Sequence, residues 1–293
     1  MTEPAYRGRL APTPTGRLHL GHALTFRAAH ERCRQAGGTL VMRNEDLDLA
    51  RCRPEYFDAA LADLRWLGMD WDEGPEMGGP HAPYRQSERT GCYRAAWERL
   101  RGSGLIYPCR CSRKDLQRAA QAPHEDGGEA LYPGTCRPDA PGGLDPRDWP
   151  DEPGIDEVCW RFLVPDGKGV EFEDGGFGRQ RFAAGRDFGD FVVWRRDGVS
   201  AYELAVVVDD AAMGISEVVR GADLLLSTAR QILIYEALGL SRPLFFHTPL
   251  VRDGEGRRLA KRDRAASIGS LKEEGYSAGQ VLAMARERTM LEA

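Results

Sequence analysis

The chain has 293 residues, 42% of them hydrophobic, and a formal net charge of -5 at pH 7. That length can bury a substantial core, in one large domain with an insertion or in two small domains. No run of about 18 apolar residues offers a membrane span, and the opening MTEPAYRGRL lacks the apolar centre of a signal peptide, so a cytoplasmic protein is expected. The acidic balance argues against wholesale coating of nucleic acid but leaves room for a basic patch.

In chain order, 6–11 reads as a strand, 20–36 as a helix, 39–44 as a strand and 54–67 as a helix opening on Pro54, a favoured first-turn residue. A further helix over 86–101 and a short strand near 105–108 complete one wing of a parallel α/β sheet. From 122 to 154, seven prolines and six glycines in 33 residues predict an irregular excursion. Residues 157–164 and the runs near 169–173 and 179–182 read as antiparallel strands joined by glycine-containing turns. The α/β character returns at DFVVWRR (190–196) and continues through AYELAVVVDDAAMGI, the strand EVVRG and the helix STARQILIYEALGL to a helical C-terminal stretch. The expected layout is one α/β domain in two halves, 1–105 and 190–293, with 106–189 inserted between them.

The stretch RLAPTPTGRLHLGHALT (9–25) breaks a strand on two prolines and a glycine and opens a helix with His19 and His22. Free backbone N–H groups and the positive end of the helix dipole make such a junction a seat for phosphate. Two histidines three apart on the first turn can donate to phosphate oxygens, and Gly21 leaves room for a base or ribose. A metal pair and a plain helix cap are the rival readings. Downstream, Arg252, Arg257, Arg258, Lys261, Arg262 and Arg264 face three acids within 13 residues, so this segment can meet phosphates or be a solvated loop.

Seven cysteines without a secretory signal do not suggest a disulfide framework. Cys33, Cys52, Cys92 and Cys159 read as small buried residues. Cys109-x-Cys111 with Cys136 suits tetrahedral zinc, which would staple an insertion short of core. Such a set lacks one ligand: His124 is chemically the better fourth, whereas Tyr132 would have to lose a phenolic proton.

RLAPTPTG followed by His19-Leu20-Gly21-His22 resembles the start of the glutamyl- and glutaminyl-tRNA synthetases, class I enzymes with a HIGH-type signature. The segments RNEDLDLAR (43–51) and AYELAVVVDDAAMGISEVVRGADLLLSTARQ (201–231) are similar to theirs, and RRLAKRD (257–263) sits where their KMSKS loop lies. Arg258 and Ala260 depart from that loop's first lysine and its serine, leaving Lys261. The resemblance implies a Rossmann-type catalytic domain that activates L-glutamate with ATP and Mg2+, His19, His22 and Lys261 steadying the phosphates. It implies a glutamate pocket of Arg9, Ala11, Thr13, Glu45, Tyr202 and Arg220, with Glu45 on the ammonium and arginine on the side-chain carboxylate.

A shortened glutamyl-type branch of that family has a C-x-C…Y-x3-C zinc pattern, which Cys109, Cys111, Tyr132 and Cys136 reproduce. For that branch the resemblance favours Tyr132 over His124. Only 31 residues follow Arg262, short of a helical anticodon-reading domain of about 100–200 residues. The branch instead transfers glutamate to the queuosine base in the anticodon loop of tRNA(Asp). A monomeric ligase with 106–189 as zinc-binding, acceptor-contacting insertion is the resulting expectation. A divergent glutamyl-tRNA synthetase charging the tRNA 3′ end and a non-catalytic zinc-stapled RNA-binding module are the alternatives.

Overall fold

The computed structural model describes residues 5–112, 115, 131–154, 158–251 and 267–289. Strand β1 (Arg7–Leu10) pairs in parallel with β2 (Thr39–Met42), Leu10 opposite Met42, and helix α1 (Leu20–Gln35) crosses between them. Arg32 and Arg34 sit favourably in the last turn of α1, and the chain leaves through Gly37 at φ 61°, a conformation side chains resist. Gly38 follows because a Cβ there would lie 2.4 Å from the Tyr6 carbonyl. Helix α2 (Pro54–Trp66) starts on its proline as expected.

The expected helix over 86–101 is divided. Gln86–Glu88 forms a tight turn, and α3 (Thr90–Gly102) follows. The buried Gln86 amide and Arg89 guanidinium donate to Asp209 at 2.8 and 2.6 Å, a tertiary tie that sets the break.

The antiparallel strands are paired differently from the sequence expectation. β3 (Ile106–Cys109), β4 (Cys159–Phe162) and β7 (Val192–Trp194) form one sheet in the order β3-β4-β7. β5 (Gly169–Asp174) and β6 (Gly178–Ala183) are a hairpin in another sheet, so β4 does not pair with β5. That second sheet runs β6-β5-β9-β8, with β8 (Glu217–Gly221) and β9 (Leu244–Thr248) in parallel register. β9 had no sequence expectation. Ser216 N–H donates to the Arg7 carbonyl at 2.9 Å, seating the start of β8 beside β1.

Helices α4 (Tyr202–Ala212), α5 (Leu225–Ala237), α6 (Ile268–Glu273) and α7 (Ala278–Glu287) complete the described elements. One buried cluster centres on β1, β2, α1 and α2 and takes in Ile268, Leu271, Val281 and Ala285 from the C-terminal helices. The other gathers α3, α4 and α5 against β3, β4, β5 and β7. In it Trp97 meets Trp160 edge to face at 4.8 Å, a geometry worth about 0.5–1.5 kcal/mol beyond area burial. Among the described residues no helix is long and apolar enough to cross a membrane.

Candidate active site

A cavity of about 630 Å³ opens where β1, the start of α1, β8 and the end of β9 converge. Arg9, Ala11, Thr13, His19, His22, Glu45, Tyr202 and Arg220 all line it. The loop after β1 makes this meeting geometrically simple: Glu45 N–H donates to the Pro12 carbonyl at 3.1 Å, bringing the segment after β2 alongside Ala11–Thr13.

His19 is the N-cap of α1. Its Nδ1 accepts from Gly21 N–H at 3.1 Å, and Nδ1 of His22 accepts from His19 N–H at 3.2 Å. Each Nδ1 therefore carries a lone pair, and the neutral ring bears its proton on Nε2. The rings lie 3.9 Å apart, so capping and a pair of donor edges coexist in the same two residues. Gly21 lines the cavity, but its immediate constraint is the cap, since a Cβ would sit 3.0 Å from Cε1 of His19.

Below the cavity lies a buried charge lattice. Arg43 donates to Glu45 at 3.0 Å and to Asp210 at 2.6 Å, and Arg9 donates to Asp210 at 3.4 Å and to the Val219 carbonyl at 2.9 Å. Burial pushes Asp210 up, but Arg43 and Arg9 outweigh it and hold the carboxyl below the usual range. For Glu45 burial wins over Arg43 and Arg9, and its carboxyl is raised. Burial likewise pushes the Tyr202 phenol up to about 12.

Arg220 is held differently. Its Nε donates to Nε2 of His247 at 3.2 Å and its Nη2 to Thr228 Oγ1 at 2.7 Å, both uncharged acceptors. Its Nη1 is buried without a hydrogen-bond partner among the described residues. Arg220 lines the cavity, and a buried guanidinium N–H without an acceptor is costly. A carboxylate is the two-pronged match to a guanidinium.

Lys261, with Arg258, Ala260 and the rest of the basic segment, lies outside the described residues. Its flanks are at the cavity: Val251 lines the wall, and Ser267 forms a bridge with His19.

Sequence reasoning did not single out Thr25, Phe26, Val219, Leu250 and Val251 as cavity residues. Phe26 follows His22 by one helical turn, a spacing that could have found it. Arg43 and Asp210 lay within quoted segments, but nothing local marks them as partners 167 residues apart.

About the cysteines, the ligand atoms of Cys109, Cys111 and Cys136 lie within 4.8 Å of one another. The Tyr132 hydroxyl is 3.4 Å from Cys109 Sγ and 3.7 Å from Cys111 Sγ, and it accepts from Cys136 N–H at 2.8 Å. A tetrahedron with Zn–S of about 2.3 Å has S···S edges of roughly 3.8 Å, so three sulfurs and this oxygen fit one zinc ion. The Cys159 thiol, Arg161 and the Tyr132 hydroxyl lower the Cys109 thiol against its burial. Burial raises Cys111. Arg161 Nε donates to Cys109 Sγ at 3.3 Å, and its guanidinium lies 3.9 Å over the Tyr132 ring. His124 lies outside the described residues.

Comparison with known proteins agrees with this geometry. Residues 5–292 match the family model of tRNA synthetases class I (E and Q), catalytic domain. The Glutamyl-Q tRNA(Asp) synthetase of Symbiobacterium thermophilum is 50% identical over 276 residues, covering 92% of this chain and 82% of that protein. The protein of the same name from Nitratidesulfovibrio vulgaris is 47% identical over 275 residues, covering 94% and 83%. A crystal structure of a glutamate tRNA ligase from Elizabethkingia meningosepticum in complex with its amino acid superposes with a TM-score of 0.76 at 29% identity. It is matched over 93% of this chain, which spans about half, 54%, of that longer protein. The fold that carries this cavity and this cysteine cluster is thus a class I catalytic domain, and the chain belongs to the family of class I tRNA synthetases for glutamate and glutamine, (E and Q).

Proposed function

We propose that the chain is an ATP-dependent glutamyl ligase that forms glutamyl-adenylate and passes glutamate to the queuosine base in the anticodon loop of tRNA(Asp). The observation that carries the amino-acid choice is that Arg220, whose buried Nη1 has no hydrogen-bond partner among the described residues, lines the same cavity as Glu45. One end of the cavity takes the side-chain carboxylate, and Glu45, with Tyr202 beside it, takes the ammonium. Arg9, Ala11 and Thr13 complete the wall. The acceptor rests on the names of the two bacterial relatives.

In the first step an oxygen of the glutamate α-carboxylate attacks the α-phosphorus of ATP, the bond to the bridging oxygen breaks, and pyrophosphate leaves with that electron pair. Such a displacement is catalysed by positioning and by donors aimed at the growing negative charge. His19 and His22 supply Nε2–H donors, the N-terminus of α1 supplies its dipole, and Lys261 supplies a cation. Mg2+ accompanies ATP. In the second step a hydroxyl of the queuosine cyclopentenediol attacks the adenylate carbonyl, and AMP leaves. Cys109, Cys111, Cys136 and Tyr132 would hold zinc, whose part is to staple the end of β3 to the segment around Tyr132–Cys136 within 106–189. We assign the catalytic halves to 1–105 and 190–293, and the protein acts as a monomer.

The test is to incubate the protein with ATP and labelled glutamate, offer tRNA(Asp) with and without queuosine, and locate the label. Pyrophosphate exchange with glutamate alone, and a base-labile ester on queuosine-containing tRNA, are expected. An isolated queuosine-bearing anticodon stem-loop should accept nearly as well as whole tRNA, and salt should weaken transfer more than adenylate formation. Label on the 3′-terminal adenosine would restore the ordinary glutamyl-tRNA synthetase reading. No glutamate-dependent exchange under either condition would restore the RNA-binding module.

A further inference from the structure

Arg220 and His247 are register partners on the parallel strands β8 and β9, so their side chains rise side by side from one face of the sheet. The imidazole is fully buried and meets three residues, Asp174, Arg220 and Thr228, the Thr228 hydroxyl lying 3.1 Å from Nε2. Its Nδ1 is 2.5 Å from Oδ2 of Asp174, and its Nε2 faces Nε of Arg220 at 3.2 Å. A guanidinium N–H can only donate, so Nε2 is the acceptor and the ring proton is on Nδ1, given to Asp174. Burial, with Arg220 beside it, pulls His247 down to about 4 despite Asp174, so the ring is neutral at physiological pH.

Asp174 is anchored in turn. Its Oδ1 accepts from Gly176 and Phe177 N–H at 2.9 Å each and from His247 N–H at 3.1 Å. Gly176 makes this possible, since a Cβ there would lie 2.0 Å from the His247 carbonyl oxygen and force the turn off β9.

The contrast with the neighbouring arginines gives the arrangement its meaning. Arg9, Arg43 and Arg89 each pair directly with Asp209 or Asp210. Among the described residues Arg220 hydrogen-bonds only uncharged acceptors, and Asp174 reaches it through an imidazole. Asp210 and Glu203 feel its charge with no hydrogen bond to it. A carboxylate in direct contact would orient the guanidinium equally well but would compete with an incoming anion. A neutral ring fixes Nε without a contacting carboxylate, so no anion in hydrogen-bond contact competes with the ligand for the guanidinium.

We infer that Asp174 and His247 are positioning residues for amino-acid specificity: they lock Arg220 without a carboxylate in contact, so that the guanidinium selects an anionic side chain over an isosteric neutral amide. The inference rests on reading the cavity as the glutamate site. It also gives the β5–β6 hairpin a part in substrate choice, through Asp174.

The experiment measures KM for glutamate and for ATP by pyrophosphate exchange, with tRNA supplied if the wild type requires it. The variants are Arg220→Ala, His247→Leu, His247→Gln, Asp174→Asn and the double variant Arg220→Ala/His247→Leu, with thermal unfolding as the folding control. His247→Leu should raise the glutamate KM about ten- to hundredfold, the range for a lost hydrogen bond to a charged group, with the ATP KM little changed and the preference for glutamate over glutamine reduced. His247→Gln, which keeps an acceptor, should recover part of the loss. Adding His247→Leu to Arg220→Ala should cost nothing more, because it acts through Arg220. If His247→Leu does not fold, Asp174→Asn, which leaves the imidazole in place, should shift the glutamate KM in the same direction.

Three results would overturn the inference: a glutamate KM unchanged in both His247→Leu and Asp174→Asn, equal rises for glutamate and ATP, or additive losses in the double variant. Failure of the underlying reading looks different. The wild type would then show no glutamate-dependent exchange, or Arg220→Ala would match it.

Discussion

Arg43 and Asp210 are joined at 2.6 Å with essentially no exposure of either side chain, 0% and 1%. The pair lies directly under the cavity because Arg43 also holds Glu45. Removing one member of a buried pair strands the other's charge. Arg43→Met should therefore cost about 3–5 kcal/mol of unfolding free energy in urea titration. Arg27→Ala should cost under about 1 kcal/mol although its contact with Glu31 is equally short, because that pair is about one-third exposed. Equal losses would show that contact distance, and not burial, governs these pairs.

Arg220→Ala should impair glutamate use by about 1.5–3 kcal/mol, read from kcat/KM, and ATP use far less. Arg220→Lys should recover little, because an ammonium cannot reproduce the fork held by His247 and Thr228. Equal damage to both substrates would point to a collapsed cavity.

Glu45 predicts a pH dependence. Its carboxyl is raised by burial, which Arg43 and Arg9 only partly offset. Only the ionised form attracts an ammonium, so glutamate affinity should fall as pH drops through the raised value, starting above the ordinary glutamate pKa of about 4.3. His247 does not titrate until about pH 4, at the lower end of that fall. For the ligand-free protein the sign is reversed. A raised carboxyl adds stability when protonated, and that contribution is lost as pH rises through the folded-state value. Glu45→Gln should raise the glutamate KM at neutral pH and remove this inflection. A wild-type glutamate KM flat down to about pH 4.3 would refute the assignment.

The cysteine cluster predicts stoichiometric zinc by elemental analysis. Cys136→Ser should lose most of it, and chelation should lower the thermal midpoint, since metal binding to such a site is folding free energy. Tyr132→Phe should retain zinc with weaker affinity, because three thiolates remain. Full zinc retention in Cys136→Ser would remove that cysteine from the ligand set.

The parts legible in the sequence are those with local signatures. The β1–α1 junction was visible because prolines, a glycine and two histidines crowd one turn, and α2 because Pro54 opens it. The eight described candidate residues of the glutamate and phosphate sites came together in one cavity. What escaped depends on distant partners. β9 is five residues between Pro243 and Pro249 with no alternation, and its identity as a strand comes from β8 on one side and Asp174 of β5 on the other. His247 sits inside that strand, so its role was equally hidden. The pairing of β4 with β3 and β7 is fixed by packing around Trp160, which no turn signal announces.

The four-stranded sheet has a consequence for chimeras. Because β5 lies between β6 and β9, the segment 106–189 is not exchangeable as a single cassette. A graft of the cysteine-bearing part from a relative would need its downstream junction in the Pro165–Lys168 turn, ahead of β5, and would have to preserve Asp190, which receives Tyr107 and Arg137 side chains and Val164 N–H. A junction at 189 would replace the hairpin as well. It would put a foreign strand edge against β9 and leave the ring that meets Phe245 and the carboxylate under His247 to whatever the donor carries at those two positions.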